Sequence, residues 1–575
     1  MTSQTATPDY DVAIVGGGIS GIYTGWRLLG ADLSTSSSLR PWAAARAGQL
    51  KVGVFEGSRR IGGRLLSAQP PGMPNTLCEI GGMRYVSSQV HIRSLIENVL
   101  NLRGPEQVVD EPQNLAFLRG AYLRNAQMNT TSLLPYRLDW NESQWLSNST
   151  SAAAGLIAWS LTKILPQIAT LSGTALEQFL QSAVLDGMPL YHHGFWNILS
   201  RVMSSEAYQL CRTMVGYDCL GNNGNAVDLT ICYFDFTPDV KYYLVKDGYE
   251  SVPWQLEQRF RDKGGDVVLG RWLDGFDATT FDDKSTGFAL RFHGEDRPVT
   301  ARSVVLAMPR AALESLRPEG AVLDPEKAPG FRAMLQAVQP IPLYKLFIGY
   351  PYPWWTQAGV SVGRSRTDLP VRQCYYWAEN ATLQGGARNT NAMVMVYDDA
   401  ANVDFWGGLR GSLLRGRTRI PGHQDAVQFF ARKATAHAAT AVSTQPFADR
   451  LRANWNDHQA PAAMVEEAHR QLMLMHNARF APEPTEAAFM DWSEQPFGAG
   501  VHLWNRGYKS WVIVNEMTQP VADLACYVCG EAYSTSQTWA EGALETAEIV
   551  LQQRFGLAAP SWLTANPPPA GTVTT

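Results

Sequence analysis

The feature that most constrains this chain lies within its first 30 residues. Tyr10–Val15 is an apolar, β-branched run, and Gly16-Gly17-Gly18-Ile19-Ser20-Gly21 follows it directly. Residues 22–29 then place Ile22, Trp26 and Leu29 on one helical side. Strand, glycine turn and helix in that order form the start of a dinucleotide-binding unit. Gly16 permits the tight turn, Gly18 lets the backbone approach a pyrophosphate, and Gly21 allows the helix to lie close to the strand. The helix N-terminus offers unpaired N–H groups and a positive dipole end to phosphate. A second strand, residues 50–55, ends at Glu56, whose carboxylate can accept hydrogen bonds from ribose hydroxyls and disfavours a 2′-phosphate. The separation from the glycines to this acid exceeds the usual value of about 20 residues. Residues 30–49, rich in Ala, Ser and Arg, read as the insertion or loop that accounts for the excess.

Composition excludes several classes. The chain has 575 residues, 45% hydrophobic and 18% charged, with a net charge of −5. That balance belongs to a globular protein and gives no electrostatic reason to expect nucleic acid as a partner. Seven cysteines in this length imply no disulfide framework. Residues 1–9 lack a basic start followed by an apolar run, so no secretion signal is visible and a cytoplasmic location is expected. On that reading the Asn-x-Ser/Thr triplets at Asn129, Asn141, Asn148 and Asn380 are chance occurrences. The most apolar long stretch, residues 152–171, is interrupted by Lys163, Pro166 and Gln167; it reads as a buried or amphipathic helix and not a membrane span. Beyond it, residues 240–302 read as short strands punctuated by Gly-Gly and Asp-Asp, and residues 303–308 as another buried strand. Residues 522–555 form a strand, turn and helix.

Further glycine blocks extend the nucleotide reading. Arg59-Arg60-Ile61-Gly62-Gly63-Arg64 comes soon after Glu56, and Glu79-Ile80-Gly81-Gly82-Met83-Arg84 is another doublet ending in Arg. Near the far end, Cys529-Gly530-Glu531 leads into Thr538-Trp539-Ala540-Glu541-Gly542, where a helix N-terminus can face an electron-rich ring edge. Together these blocks resemble the flavin amine oxidase superfamily, and more closely its L-amino acid oxidase and amino acid monooxygenase branch, over about residues 9–555.

The resemblance implies non-covalent FAD. Glu56 would bind the adenosine ribose, with Val267 beside adenine. Gly16, Gly18, Gly21, Gly63, Arg64, Gly530 and Glu531 would lie along the pyrophosphate and ribityl chain. Gly82, Met83 and Arg84 would pass beside the flavin, and Thr538, Trp539 and Ala540 would sit near its pyrimidine edge. Thr538 stands where the family commonly has Gly, in a turn that favours a permissive backbone. Arg84 would anchor a substrate carboxylate in a bidentate fork. Tyr375 would donate a second hydrogen bond to it, with Tyr376 the close rival. Lys345 lies in an apolar strand where an unpaired ammonium is costly; its family counterpart holds a water at flavin N5. Trp377, Gly500, Val501 and Trp539 complete the expected substrate pocket, Val501 replacing the family's usual Trp. Residues 211–236 would line the side-chain end; of Asp218, Cys219, Leu220 and Asp228, a carboxylate that reaches the pocket would select Lys or Arg, and its absence would favour aromatic or aliphatic amino acids.

The implied architecture is α/β, or α+β overall. A Rossmann-like FAD-binding domain (9–85, 240–310 and 501–556) is interleaved with a mixed-sheet substrate domain (86–150 and 311–500, with a helical insertion) and a helical, substrate-lining region (151–235). Residues 564–575 read as a disordered tail. The implied reaction is oxidative deamination of an L-α-amino acid by hydride transfer from Cα to flavin N5, releasing a 2-oxo acid, ammonia and hydrogen peroxide. The partners are then an L-amino acid and O2, with no nucleic acid and no membrane, and a homodimer or higher homo-oligomer is expected. An amino acid 2-monooxygenase, an amine or polyamine oxidase, and a flavin-bound scaffold without turnover are the alternatives. Cys526 and Cys529 form a CxxC without a second pair inside an apolar strand, and His192-His193 has no matching ligand spacing, so no metal site is expected.

Overall fold

A computed structural model describes residues 7–149, 155–218, 222–235, 240–317, 324, 326, 328–379, 391–410, 446–494 and 497–564. Cys219, Leu220, Asn380, Pro496 and residues 565–575 lie outside the described residues. The fold is mixed α/β. Its first large sheet is built around Tyr10–Val15, which pairs in parallel with Val52–Glu56 on one side and Val299–Leu306 on the other. Asp266–Leu269 extends the sheet beyond Val52–Glu56, and Cys526–Val528 adds in parallel to Val299–Leu306. A strand buried on both faces has no polar side to alternate with. That is why Val12 to Val15 is a continuous apolar run, every residue of it buried.

The Ile19–Gly30 helix leaves this strand through Gly16, whose φ of +110° favours glycine. A Cβ on Gly21 would sit 2.0 Å from the Gly16 carbonyl oxygen, so the helix can approach the turn only with glycine there. Against this helix packs Ser251–Asp262, with Val252, Leu256 and Phe260 buried. The strand-only reading of residues 240–302 omitted that helix. Its apolar positions recur at i, i+4 and i+8, and Pro253 falls in the first turn, where proline is tolerated.

A second seven-stranded sheet runs Glu486–Asp491, Leu343–Tyr350, Ala392–Asp399, Gln373–Glu379, Arg364–Thr367, Leu115–Leu118 and Ala121–Arg124. All neighbours are antiparallel except Arg364–Thr367 with Leu115–Leu118. The described residues between 140 and 235 are mainly helical, from Trp140–Asn148 to Ala226–Asp235. Within the apolar stretch, Gly155–Ile164 is a helix burying Leu156, Ile157 and Leu161, and a short 3-10 turn follows Pro166. Among the described residues no helix is long and apolar enough to cross a membrane.

One buried ion cluster ties the nucleotide-type sheet to its surroundings. Glu250 is 0% exposed and lies 2.6 Å from Arg450 and 3.6 Å from Arg60. Arg60 donates to the carbonyls of Ile61, Gly63 and Leu65, and Arg450 donates to Ile61 O. The pair of guanidiniums thus grips the Gly62-Gly63 turn from both sides. Glu250→Ala leaves buried Arg450 and partly buried Arg60 without their carboxylate. Removing one partner of a buried pair costs about 3–5 kcal/mol, so the variant's urea midpoint should fall clearly below wild type; an unchanged midpoint would refute the role.

Candidate active site

One cavity of about 1360 Å³ passes between the two sheets. Gly16, Gly18, Glu56, Gly63, Arg64, Gly82, Met83, Arg84, Gly530, Glu531, Thr538, Trp539 and Ala540 line it together with Lys345, Gly500 and Val501. The sequence blocks therefore converge on one space although they span more than 500 residues. Gly21 lies off the wall and serves helix packing instead. Val267 sits in the strand beside Val54 but not on the wall, where Arg271, Trp272 and Leu273 stand.

The nucleotide end fits a dinucleotide. The Glu56 carboxylate accepts from Gly17 N at 2.6 Å and Ser58 N at 2.8 Å, which fixes its plane at the end of the strand. Arg64 Nη1 donates to Glu531 Oε2 at 2.8 Å and to Gly500 O at 2.9 Å, drawing both walls together. Glu531 also accepts from His502 N and Thr538 N. Burial would push its carboxyl up, yet Arg64, His502 and these N–H groups hold it well below the usual range. The Ala540–Ile549 helix begins on the wall, so its N–H groups face the cavity. Isoalloxazine needs such a positive edge near its pyrimidine carbonyls.

Lys345 comes from Leu343–Tyr350 of the other sheet, flanked by Glu486–Asp491 and Ala392–Asp399. Its Nζ donates to Glu79 O at 3.0 Å and to Gly81 O. Trp492 Nε1 donates to the intervening Ile80 O at 3.0 Å. Burial pushes the Lys345 amine down and the Glu79 carboxyl up. The segment that delivers Gly82, Met83 and Arg84 is therefore clamped by its carbonyls.

Arg84 is buried, and its guanidinium carbon lies 4.3 Å from the Tyr242 ring centre and 5.7 Å from that of Tyr375. Nη1 donates to Gln107 Oε1 at 3.0 Å. Among the described residues its Nε and Nη2 have no hydrogen-bond partner. Tyr375 is 1% exposed and its hydroxyl meets that of Tyr217 at 2.8 Å. Tyr376 points to the opposite face of the sheet, bonded to Ser365 and His476, which removes it as the rival. Trp377 is a correction. It shares the Tyr375 face, but its Nε1 donates to Leu77 O and its ring packs edge-on against Phe347, so it is core and not cavity wall.

Several cavity residues escaped the sequence reading: Tyr217, Tyr242, Tyr397, Arg364 and Arg366. Arg364 pairs across strands with Tyr375 and binds Asp110 through two nitrogens; Arg366 binds the same carboxylate at 2.6 Å. The two arginines pull the Asp110 carboxyl far below the usual range. Of the earlier carboxylates, Asp228 reaches the wall, accepts from Ser510 Oγ and is pushed up by burial to about 7. Asp218 is held by Arg372 and Asn402 instead. The acidic group Asp218, Asp398 and Asp399 is likewise tied to Arg372, Asn402 and Trp406. Cys526 and Cys529 are buried on opposite sides of their strand, facing different cores.

Thr538 keeps φ at +74°, a left-handed conformation that a β-branched residue adopts only under strain. Such strain costs about 1–3 kcal/mol. Thr538→Gly should therefore stabilise the holoenzyme by about 1 kcal/mol after glycine's entropic cost, read as a higher urea midpoint. A lower midpoint would count against strain at this turn.

The family described as flavin containing amine oxidoreductase matches residues 19–410. The chain is 26% identical to Aplysianin-A of Aplysia kurodai over 95% of its own length and 90% of that protein. It is 25% identical to Achacin of Lissachatina fulica, over 95% of this chain and 93% of that protein. Among solved structures it is similar in fold to putrescine oxidase bound to putrescine, with a TM-score of 0.58 and 16% identity over 95% of this chain and 99% of that one. Cyclohexylamine oxidase from Brevibacterium oxydans IH-35A gives a TM-score of 0.57 at 19% identity, over 95% and 98% of the two chains.

Proposed function

Because the chain belongs to the flavin-containing amine oxidoreductases, we propose that it is an L-amino acid oxidase using non-covalently bound FAD. The observation that carries this reading is Arg84. A buried guanidinium on the cavity wall, stacked on Tyr242 and with two nitrogens unengaged, is built to receive a planar anion. An amine without a carboxylate has no use for that fork. Glu56, Arg64, Glu531 and the start of the Ala540–Ile549 helix would hold the FAD along the cavity.

When bound, the flavin supplies a two-electron acceptor that passes its electrons to O2, giving hydrogen peroxide. The protein's own part is placement and exclusion. Arg84 holds the α-carboxylate, which fixes where the Cα–H bond points. Lys345 and Trp492 hold the Glu79–Arg84 segment rigid, so the anchor does not drift. The neutral amine form of the substrate can release hydride without a strong general base, in agreement with the absence of any His from the cavity wall among the described residues. The resulting imino acid hydrolyses to a 2-oxo acid and ammonia. Asp228 favours a substrate with a cationic side chain, because it is the carboxylate of its segment that reaches the cavity.

A peroxide assay over the 20 L- and D-amino acids tests the activity. Peroxide, ammonia and 2-oxo acid in equal amounts support the oxidase; an amide in place of the 2-oxo acid points to the monooxygenase. Arg84→Ala should lower kcat/KM for the best L-amino acid about 10²–10³-fold, since each charge-assisted hydrogen bond is worth about 1.5–3 kcal/mol. Intact turnover in that variant would overturn the carboxylate anchor. Asp228→Asn should lower kcat/KM for L-lysine about tenfold relative to L-leucine at a pH above 7, where the carboxyl is ionised and attracts the ammonium; equal loss for both would show that Asp228 does not read the side chain.

A further inference from the structure

We infer that Tyr217, and not Tyr375, is the tyrosine that hydrogen-bonds the substrate carboxylate beside Arg84. This rests on the amino-acid reading of the site and names a ligand that the motif comparison did not supply.

Tyr217 follows the Ser205–Val215 helix, which ends at Gly216 with φ of +80°. That left-handed cap turns the chain off the helix and into the cavity, where Tyr217 lines the wall. Its ring lies edge-on to Tyr397 at 5.3 Å, and the Arg364 guanidinium stands 5.4 Å from its centre. Tyr397 in turn lies 5.0 Å from the Lys345 Nζ. The tyrosine is thus set beside Arg84 and Arg364, on the side of the cavity where an anion is favoured.

Tyr375 stands behind it. The side chain is 1% exposed and absent from the cavity wall. Among the described residues its hydroxyl has one hydrogen-bond partner, the Tyr217 hydroxyl at 2.8 Å. Either hydroxyl can donate in this pair; we assign the donor to Tyr375, because a buried O–H must be satisfied, and Tyr217 then accepts. The proton of Tyr217 is then left to point elsewhere, and the open direction is the cavity. Tyr375 acts as a positioning residue that fixes the rotation of the Tyr217 hydroxyl.

The test compares holoenzyme variants Tyr217→Phe and Tyr375→Phe by two readouts. One is the Kd of benzoate, a carboxylate probe, from perturbation of flavin absorbance. The other is KM and kcat for the best L-amino acid. Tyr217→Phe should weaken benzoate about tenfold or more and raise KM similarly, with a smaller change in kcat, as expected for loss of a hydrogen bond to a charged group. Tyr375→Phe should weaken benzoate less. Equal loss in the two variants, or greater loss with Tyr375→Phe, overturns the inference. If Tyr217→Phe does not fold, a crystal structure of wild-type holoenzyme with benzoate decides: the Tyr217 hydroxyl nearer the carboxylate supports the inference and the Tyr375 hydroxyl nearer overturns it. A wild-type enzyme that oxidises no L-amino acid removes the amino-acid reading and the carboxylate role with it. A positive panel with benzoate lost in Tyr375→Phe alone removes the Tyr217 assignment only.

Discussion

The hydrogen bonds from Lys345 to the carbonyls of Glu79 and Gly81 hold the rest of the site in place. Lys345 is anchored in a strand paired on both sides, while residues 79–84 are a short stretch of glycine-containing chain that lines the cavity. Short glycine-containing backbone has little intrinsic stiffness. Here stiffness is imposed from outside, by one amine and one indole that between them occupy three successive carbonyls. Burial makes this arrangement demanding. A buried amine loses its hydration, so the two carbonyls must replace water for it, and they do so only in one geometry. The position of Arg84 follows from that geometry.

Charge in the cavity is uneven along its length. At the nucleotide end Arg64 and Glu531 neutralise one another, and His502 adds hydrogen bonds. At the other end Arg84, Arg364 and Arg366 gather, and Asp110 binds the last two. Low local dielectric makes such an excess costly when empty and useful when an anion arrives. The tyrosines around it, Tyr217, Tyr242 and Tyr375, offer ring faces and hydroxyls that moderate the cost without cancelling the charge.

Legibility followed sequence locality. Gly16, Gly18, Glu56, Arg64, Gly82, Arg84, Gly530, Glu531 and Trp539 sit in short motifs whose spacing carries their geometry, and all of them reach the cavity. Lys345 stood out because a cation inside an apolar strand needs an explanation. Arg364 and Tyr217 carried no such signal. Arg364 arrives by cross-strand register with Tyr375, which depends on how residues 368–372 turn, and Tyr217 arrives through a helix end. Trp377 shows the opposite failure. Alternation correctly placed it on the Tyr375 face, but a register shift between Tyr376 and Ala378 and the depth of the core decide what that face meets. Thr538 is the case where a sequence departure from the family pattern turned out to mark real backbone strain.

The sheet that carries Glu56 is completed by Cys526–Val528, and Glu531, Trp539 and Ala540 close the wall opposite it. The ribosome delivers these pieces in order, and the last arrives after more than 500 others. At about 5–20 residues per second, synthesis to that point takes on the order of half a minute to two minutes. Throughout that time the Tyr10–Val15 strand and its glycine turn are outside the ribosome without the walls they need. The cavity wall that begins at the first glycine turn is therefore incomplete until residues 526–540 have been made, however early that turn appears.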